Sequence, residues 1–136
     1  MSTQRQQPEV IAAALGASTI AIVGLSSNPM RPSYGVAEYL INAGFEVIPV
    51  NPREQEVLGL PCYASLAEVP KAIDMVDVFR ESSAVPDIAQ QAVAIGAKFL
   101  WLQLGVISDE GVTVAEAGGM QCVVDLCTKI EHQRLS

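Results

Sequence analysis

The sequence has few of the residues that metal sites and disulfide frameworks require. Its 136 residues include only three cysteines and one histidine, and no two cysteines form a Cys-x-x-Cys pair. A structural zinc ion takes four clustered sulfur and nitrogen ligands, so we expect no metal site. The odd number and wide spacing of Cys62, Cys122 and Cys127 also argue against a disulfide framework.

Positive charge and long apolar runs are scarce as well. Eight lysines and arginines stand against fifteen aspartates and glutamates, a formal net charge of −7 at pH 7. Because nucleic acids are bound through basic surfaces, we expect no nucleic-acid partner. No apolar run approaches the roughly 18 residues that cross a bilayer, and the N-terminus MSTQRQQPEV is unlike a signal peptide. We therefore expect a cytoplasmic protein with no membrane partner.

What the chain does have is enough apolar residues for a well-filled core, at half of its length. Length and the absence of a linker predict a single domain over residues 1–136, with a flexible segment at 1–8.

Short apolar runs alternate with amphipathic segments along this domain. The apolar runs predict five strands and a short edge strand, at 19–25, 45–50, 74–79, 98–104, 121–125 and, for the edge strand, 59–64. Helices are predicted at 10–15, 34–43, 85–95, 109–117 and 127–135. Ser33 and Ser108 are the expected N-caps of the second and fourth helices. Strands separated by helices run parallel, so the predicted fold class is α/β: a doubly wound, mostly parallel open sheet with helices on both faces.

In such a sheet, ligands bind at the loops that leave the carboxyl ends of the strands. The loop after the first strand begins with Gly24 and leads into a helix, as phosphate-binding loops do. Ser26 and Ser27 carry hydroxyls that can donate to phosphate oxygens. The Gly-x-Gly-x-x-Gly fingerprint of dinucleotide-binding folds is absent, because Leu25 and Ser26 follow Gly24. An ordinary surface loop is the alternative interpretation.

The loop after the second strand favours a phosphorylated ribose. NAD-binding folds usually place an acidic residue there to hold the ribose hydroxyls, whereas this chain has Asn51, Pro52 and Arg53. Arg31 and Arg80 follow strands at the same edge, so three of the eight basic residues converge. We infer a site for an anionic ligand such as NADP or coenzyme A. The alternative is three unrelated surface charges.

No catalytic residue is predicted. The Tyr-x-x-x-Lys pair of short-chain dehydrogenases and the Gly-x-Ser-x-Gly nucleophile elbow are both absent. Cys127 and His132 could act as nucleophile and base, but their spacing puts them on different faces of a helix. We expect Cys127 to be a buried structural residue. Trp101 and Gln103 point the same way along the fifth strand, and Trp101 is expected in the core or in a ligand wall.

Taken in order, five segments resemble the small bacterial CoA-binding proteins of the YccU type: VGLSSNPMRPSYGVAEYL, VIPVNP, VDVFR, IGAKFLWLQLGV and CTKIEH. The similarity extends from about residue 10 to residue 135. That family's fold resembles the CoA-binding domain of the succinyl-CoA synthetase alpha subunit and of the ADP-forming acyl-CoA synthetases. Where family members often have Asp-Arg-Cys, this chain has Asp125, Leu126 and Cys127, so any contact of that arginine is lost.

The resemblance implies coenzyme A or acyl-CoA as the ligand. The predicted ligand-binding residues are those of the strand-end loops: Gly24, Leu25, Ser26, Ser27, Arg31, Asn51, Pro52, Arg53, Phe79, Arg80 and Gly105. The phosphohistidine and ATP-grasp domains of the larger ligases do not fit in 136 residues. We therefore expect a binding, carrier or sensor module without its own ligase activity, acting as a homodimer or with a separate CoA-using enzyme. An NADP-dependent oxidoreductase is the alternative.

Overall fold

Five apolar segments form the strands of one parallel sheet. The computed structural model describes residues 7–135. The strands of the sheet are β1 (Thr19–Val23), β2 (Glu46–Val50), β5 (Met75–Val78), β6 (Phe99–Leu102) and β7 (Gln121–Val124). They are ordered β2-β1-β5-β6-β7, and every neighbouring pair is parallel. Strands covered on both faces are apolar throughout, which is why these segments read as continuous apolar runs.

Five helices connect and cover the strands: α1 (Pro8–Ala14), α2 (Pro32–Asn42), α3 (Val85–Ala94), α4 (Asp109–Ala117) and α5 (Thr128–Leu135). Alternate side chains of β1 enter two separate cores. Ile20 and Ile22 pack with α1 and α2, whereas Ala21 and Val23 pack with α3 and α4. The chain thus has a Rossmann-like α/β fold with helices on both faces, which confirms the predicted fold class.

The predicted edge strand at 59–64 forms only in part. The chain instead forms a small antiparallel hairpin of β3 (Glu56–Val57) and β4 (Leu60–Pro61), and touches the main sheet by a single bridge between Val50 and Tyr63. Leu58 and Gly59 both have positive φ, 55° and 75°, as the two central residues of a type I′ turn do. The turn reverses the chain before a longer strand can form.

Helix starts were predicted with mixed success. Ser108 is the N-cap of α4, as predicted, and its Oγ accepts a hydrogen bond from the Gly111 backbone N–H at 3.0 Å. The prediction of Ser33 for α2 is wrong, because the N-cap is Arg31. Pro32 has its φ already set for the first helical position, so the helix begins earlier. Of the predicted flexible segment, residues 1–6 lie outside the described part, and α1 begins at Pro8.

Trp101 belongs to the core. It is completely buried, and its Nε1–H donates to the Leu126 carbonyl at 2.8 Å. This bond joins β6 to the segment that leads into α5.

Gly24 ends β1 in a conformation that only glycine adopts easily. Its φ is +91°, and a Cβ at this position would lie 2.7 Å from the Phe79 carbonyl oxygen. Gly119 has nearly the same φ, +92°, but a Cβ there would meet no atom within 4 Å. At both positions a side chain would be strained by the positive φ. Only at Gly24 would it also meet the backbone that follows β5.

We predict that Gly24→Ala lowers the free energy of unfolding by at least about 2 kcal/mol, and Gly119→Ala by about 1 kcal/mol. Both substitutions add the strain of positive φ, but only Gly24→Ala also pushes against a rigid carbonyl. Urea unfolding of the two variants measures the difference. Equal losses would show that β5 yields to the methyl group without cost.

Candidate functional site

The carboxyl ends of the central strands open into one cleft of about 870 Å³, a size usual for small-molecule sites. The chain leaves β1 toward β2 on one side and β5 toward β6 on the other, so the strand order reverses between β1 and β5. Ligand sites of doubly wound sheets lie at such a reversal. Eight of the predicted residues line the cleft: Gly24, Ser26, Arg31, Asn51, Pro52, Arg53, Phe79 and Arg80.

The other three predicted residues do not line it. Leu25 is completely buried in the core. The backbone N–H and the Oγ–H of Ser27 both donate to the Glu54 carboxylate, at 3.0 and 2.8 Å. Gly105 lies beyond the end of β6, and its backbone N–H donates to Asp125 Oδ1 at 2.7 Å.

Asn51 ties the first two strand-end loops together. Its Nδ2 donates to the Leu25 carbonyl at 3.1 Å, while its Oδ1 accepts from the Arg53 backbone N–H at 2.9 Å. Within the first loop, the Ser26 backbone N–H donates to the Ser33 hydroxyl at 3.1 Å. These bonds hold the backbone of the cleft wall in place.

Glu54 adds an acidic group that the sequence reasoning missed. The Ser27 backbone N–H, and then the Ser27 hydroxyl, lower the pKa of the Glu54 carboxyl by donating to it. The carboxylate therefore occupies the donors that were predicted for a ligand phosphate. Its position could have predicted this, because Glu54 directly follows Arg53 in the loop after β2.

The three predicted arginines do converge on the cleft. The guanidinium groups of Arg31 and Arg53 contact no acceptor within residues 7–135, whereas Arg80 Nε lies 2.8 Å from Glu81 Oε1. The hydrogen bond from Arg80 lowers the pKa of Glu81, with smaller contributions from the Glu81 backbone and from the charges of Arg80 and Arg53. Three arginines against Glu54 and Glu81 leave the cleft net positive in a chain of net charge −7.

The β6 side of the cleft is mostly apolar and was also missed. Leu104, Val106 and Cys127 line it there, together with Gln103. Cys127 is buried as predicted, with 8 % of its surface exposed. Gln103 directly follows β6, and its side chain is on the same side as that of Trp101. Its position at the end of a strand is the signal from which it could have been predicted.

His132 belongs to the packing of α5 against α2. Its Nδ1 lies 2.7 Å from the Tyr39 hydroxyl. Its ring meets the rings of Tyr39 and Phe45 edge to face, at centroid distances of 5.6 and 5.4 Å. The structure thus gives His132 a packing role.

A polar cluster lies beneath the cleft. The Thr128 backbone N–H donates to Gln103 Oε1 at 3.1 Å. The Thr128 hydroxyl oxygen lies 3.0 Å from Gln103 Oε1 and 3.1 Å from Asp77 Oδ2. Asp77 is completely buried, and its Oδ1 has no hydrogen-bond partner in the described part of the chain. Burial raises the pKa of Asp77 well above its usual range, although the hydrogen bond with Thr128 opposes this.

The geometry of this cluster also fits a protonated Asp77. The Thr128 hydroxyl has one proton, and Gln103 Oε1 can only accept. A neutral Asp77 donates to Thr128 Oγ1, which in turn donates to Gln103. An ionised Asp77 would compete with Gln103 for that one proton and leave two acceptors in contact.

Fold and site together define a Rossmann-like domain with a positively charged cleft at its strand-order reversal. Comparison with known proteins narrows this class. The chain belongs to the CoA-binding domain family, whose model matches residues 18–133. It is 39 % identical over 113 residues to YneT of Bacillus subtilis (strain 168), covering 83 % of this chain and 84 % of that protein.

Two further similarities agree with this family. A solved structure of a hypothetical protein from Pyrococcus horikoshii OT3 has a TM-score of 0.94 and 34 % identity, covering 99 % of this chain and 96 % of that one. Acetate–CoA ligase [ADP-forming] II of Archaeoglobus fulgidus is 28 % identical over 100 residues, which is 72 % of this chain and 15 % of the ligase. Between residues 7 and 135, no helix is both long and apolar enough to cross a membrane.

We predict that Asp77→Asn stabilises the protein at pH 7. Burial raises the pKa of Asp77 in the folded state above that of the unfolded chain, so wild-type stability falls as pH rises above about 4. The free energy of unfolding falls by at most about 1.4 kcal/mol per pH unit, and it stops falling above the pKa of Asp77 in the folded state. Asparagine has no such titration and can still donate to Thr128.

Urea unfolding of both proteins from pH 4 to pH 8 tests this. The advantage of the variant should be smallest at pH 4 and grow with pH. A difference that does not change with pH would contradict a buried neutral acid.

Proposed function

We propose that this protein binds coenzyme A or an acyl-CoA in the cleft. It does so as a cytoplasmic binding, carrier or sensor module without ligase activity of its own. The observation that carries the proposal is the convergence of Arg31, Arg53 and Arg80 on the cleft of an acidic chain. Local positive charge of this kind is what a ligand with several phosphates requires.

The distribution of charge across the cleft supports a long ligand with two unlike ends. The arginines stand at the loops after β1, β2 and β5, whereas no charged residue of the described chain lines the cleft after β6 and β7, where Leu104, Val106 and Cys127 lie. Coenzyme A carries its phosphates on the adenosine end and a neutral pantetheine arm on the other. Its anionic end therefore suits the β2 side, and its arm suits the β6 side.

The second loop suits the adenosine ribose. In this architecture the ribose lies beside the end of β2, where Arg53 carries a guanidinium without a protein partner in the described chain. Arg80 is less available because it already contacts Glu81. Arg53 is thus the better candidate for the 3′-phosphate that distinguishes coenzyme A from dephospho-CoA.

The relation to the ligases supports binding without ligation. The Archaeoglobus enzyme is by name an acetate–CoA ligase, and this chain covers 15 % of that enzyme. A separate CoA-using enzyme as partner, or a homodimer, belongs to the same proposal.

We predict that CoA raises the melting temperature and that NADP does not. The loop after β1 lacks the dinucleotide fingerprint. CoA at about 100 times its dissociation constant should add roughly 2.7 kcal/mol to the free energy of unfolding. Thermal unfolding with each ligand measures this. A larger shift with NADP would favour the oxidoreductase alternative.

We also predict that CoA binds roughly 10- to 150-fold more tightly than dephospho-CoA, as expected for charge-assisted hydrogen bonds to one phosphate. Arg53→Ala should remove most of this difference and hardly affect dephospho-CoA. Arg134→Ala is the matched control, because it removes the same charge from α5, away from the cleft.

Calorimetric titration of both ligands provides the measurement, with Arg80→Ala titrated alongside. If Arg80→Ala alone removes the difference in affinity between CoA and dephospho-CoA, Arg80 binds the 3′-phosphate. Equal affinities of the two ligands for wild type would contradict a 3′-phosphate site.

A further inference from the structure

Gln103 presents a hydrogen-bond donor to the apolar side of the cleft. Only 4 % of its surface is exposed, yet it lines the cleft. The backbone N–H of Thr128 can only donate, so the atom 3.1 Å away must be the amide oxygen of Gln103. The amide nitrogen therefore points away from Thr128 and donates to no acceptor among the described residues.

That nitrogen is open to the cleft. Within residues 7–135, the one buried side-chain polar atom without a partner is Asp77 Oδ1. The Gln103 nitrogen has no partner in this part of the chain either but is not among the fully buried atoms, so it is accessible from the cleft, whose β6 side Val106 and Cys127 also line. A lone donor among apolar groups selects a ligand that offers an acceptor at one point and is otherwise neutral.

We propose that the Gln103 amide nitrogen donates a hydrogen bond to a carbonyl oxygen on the neutral arm of the ligand, and that Thr128 and Asp77 position this amide. The proposal rests on the proposed function and deepens it, because it makes the β6 side a subsite for the arm. The carbonyl belongs either to the pantetheine amides or to the thioester of an acyl-CoA.

The positioning follows from the chain of hydrogen bonds below the cleft. Thr128 Oγ1 lies 3.1 Å from Asp77 Oδ2 and 3.0 Å from Gln103 Oε1, and the Thr128 backbone N–H donates to the same Gln103 oxygen. When Asp77 is neutral it donates to Thr128 Oγ1, which leaves the Thr128 hydroxyl proton for Gln103 Oε1. With two donors on its oxygen, the amide is held in one orientation. Its nitrogen is then already directed at the cleft before ligand arrives, which reduces the entropy lost on binding.

The first experiment is a titration of wild type and of Gln103 variants with three ligands: CoA, acetyl-CoA and adenosine 3′,5′-bisphosphate, which lacks the arm. Gln103→Leu should bind CoA or acetyl-CoA about three- to tenfold more weakly, as for loss of one neutral hydrogen bond. It should bind the bisphosphate as wild type does. Loss for both CoA and acetyl-CoA identifies a pantetheine carbonyl, and loss for acetyl-CoA alone identifies the thioester.

Gln103→Glu is the second variant, because an ionised carboxylate can still accept hydrogen bonds from Thr128 but has no donor for the carbonyl oxygen of the arm. The added negative charge can repel all three ligands, and the loss of affinity for the bisphosphate measures this repulsion. We therefore expect the loss of affinity for CoA or acetyl-CoA to exceed the loss for the bisphosphate. If folded variants bind CoA and acetyl-CoA as wild type does, or lose affinity equally for all three ligands, the proposed subsite is wrong. If wild type binds the bisphosphate but not CoA, the arm subsite alone fails. If wild type binds none of the three, the proposed function fails with it.

The second experiment separates positioning from general stability. Thr128→Val removes the hydroxyl and should weaken binding of the arm-bearing ligand about threefold, without an effect on the bisphosphate. Thr128→Ser and Asp77→Asn keep the hydrogen-bond chain and should retain wild-type affinity. Full affinity in Thr128→Val would show that the hydroxyl does not position Gln103. Weakening in Thr128→Ser equal to that in Thr128→Val would show that the effect comes from packing.

Discussion

All five strands of the sheet run in the same direction, and the arrangement of the site depends on this constraint. Their carboxyl ends meet at one edge, so residues separated by many positions in the chain face one cleft. Arg31, Arg53 and Arg80 follow three different strands and are brought together in this way. The close approach of Gly24 to the Phe79 carbonyl lies at the same edge, where the strand order reverses between β1 and β5.

Charge is distributed unevenly over the molecule. The chain is acidic overall, yet the cleft carries three arginines and two glutamates. Ser27 and Arg80 donate hydrogen bonds to Glu54 and Glu81. The first bond ties the loop after β1 to the loop after β2, and the second holds the Arg80 side chain beside Glu81.

Much of the fold could be predicted because it follows from local pattern. The five apolar strands and the N-cap at Ser108 were found from periodicity and capping residues. The hairpin at β3 and β4 was missed because positive φ at Leu58, a residue type that seldom adopts it, is not visible in an apolar run. The start of α2 was missed because Pro32 outweighed the capping tendency of Ser33.

The sequence by itself determined the fold class and the convergence of the three arginines, because both follow from strand order and from the positions of charged residues after strands. Only the tertiary structure decided which neighbours those residues have. Ser27 turned toward Glu54, Leu25 entered the core, and Gln103 was oriented by Thr128 from 25 positions away. Such pairings depend on distances between residues that follow different strands, and local sequence pattern carries no information about these distances.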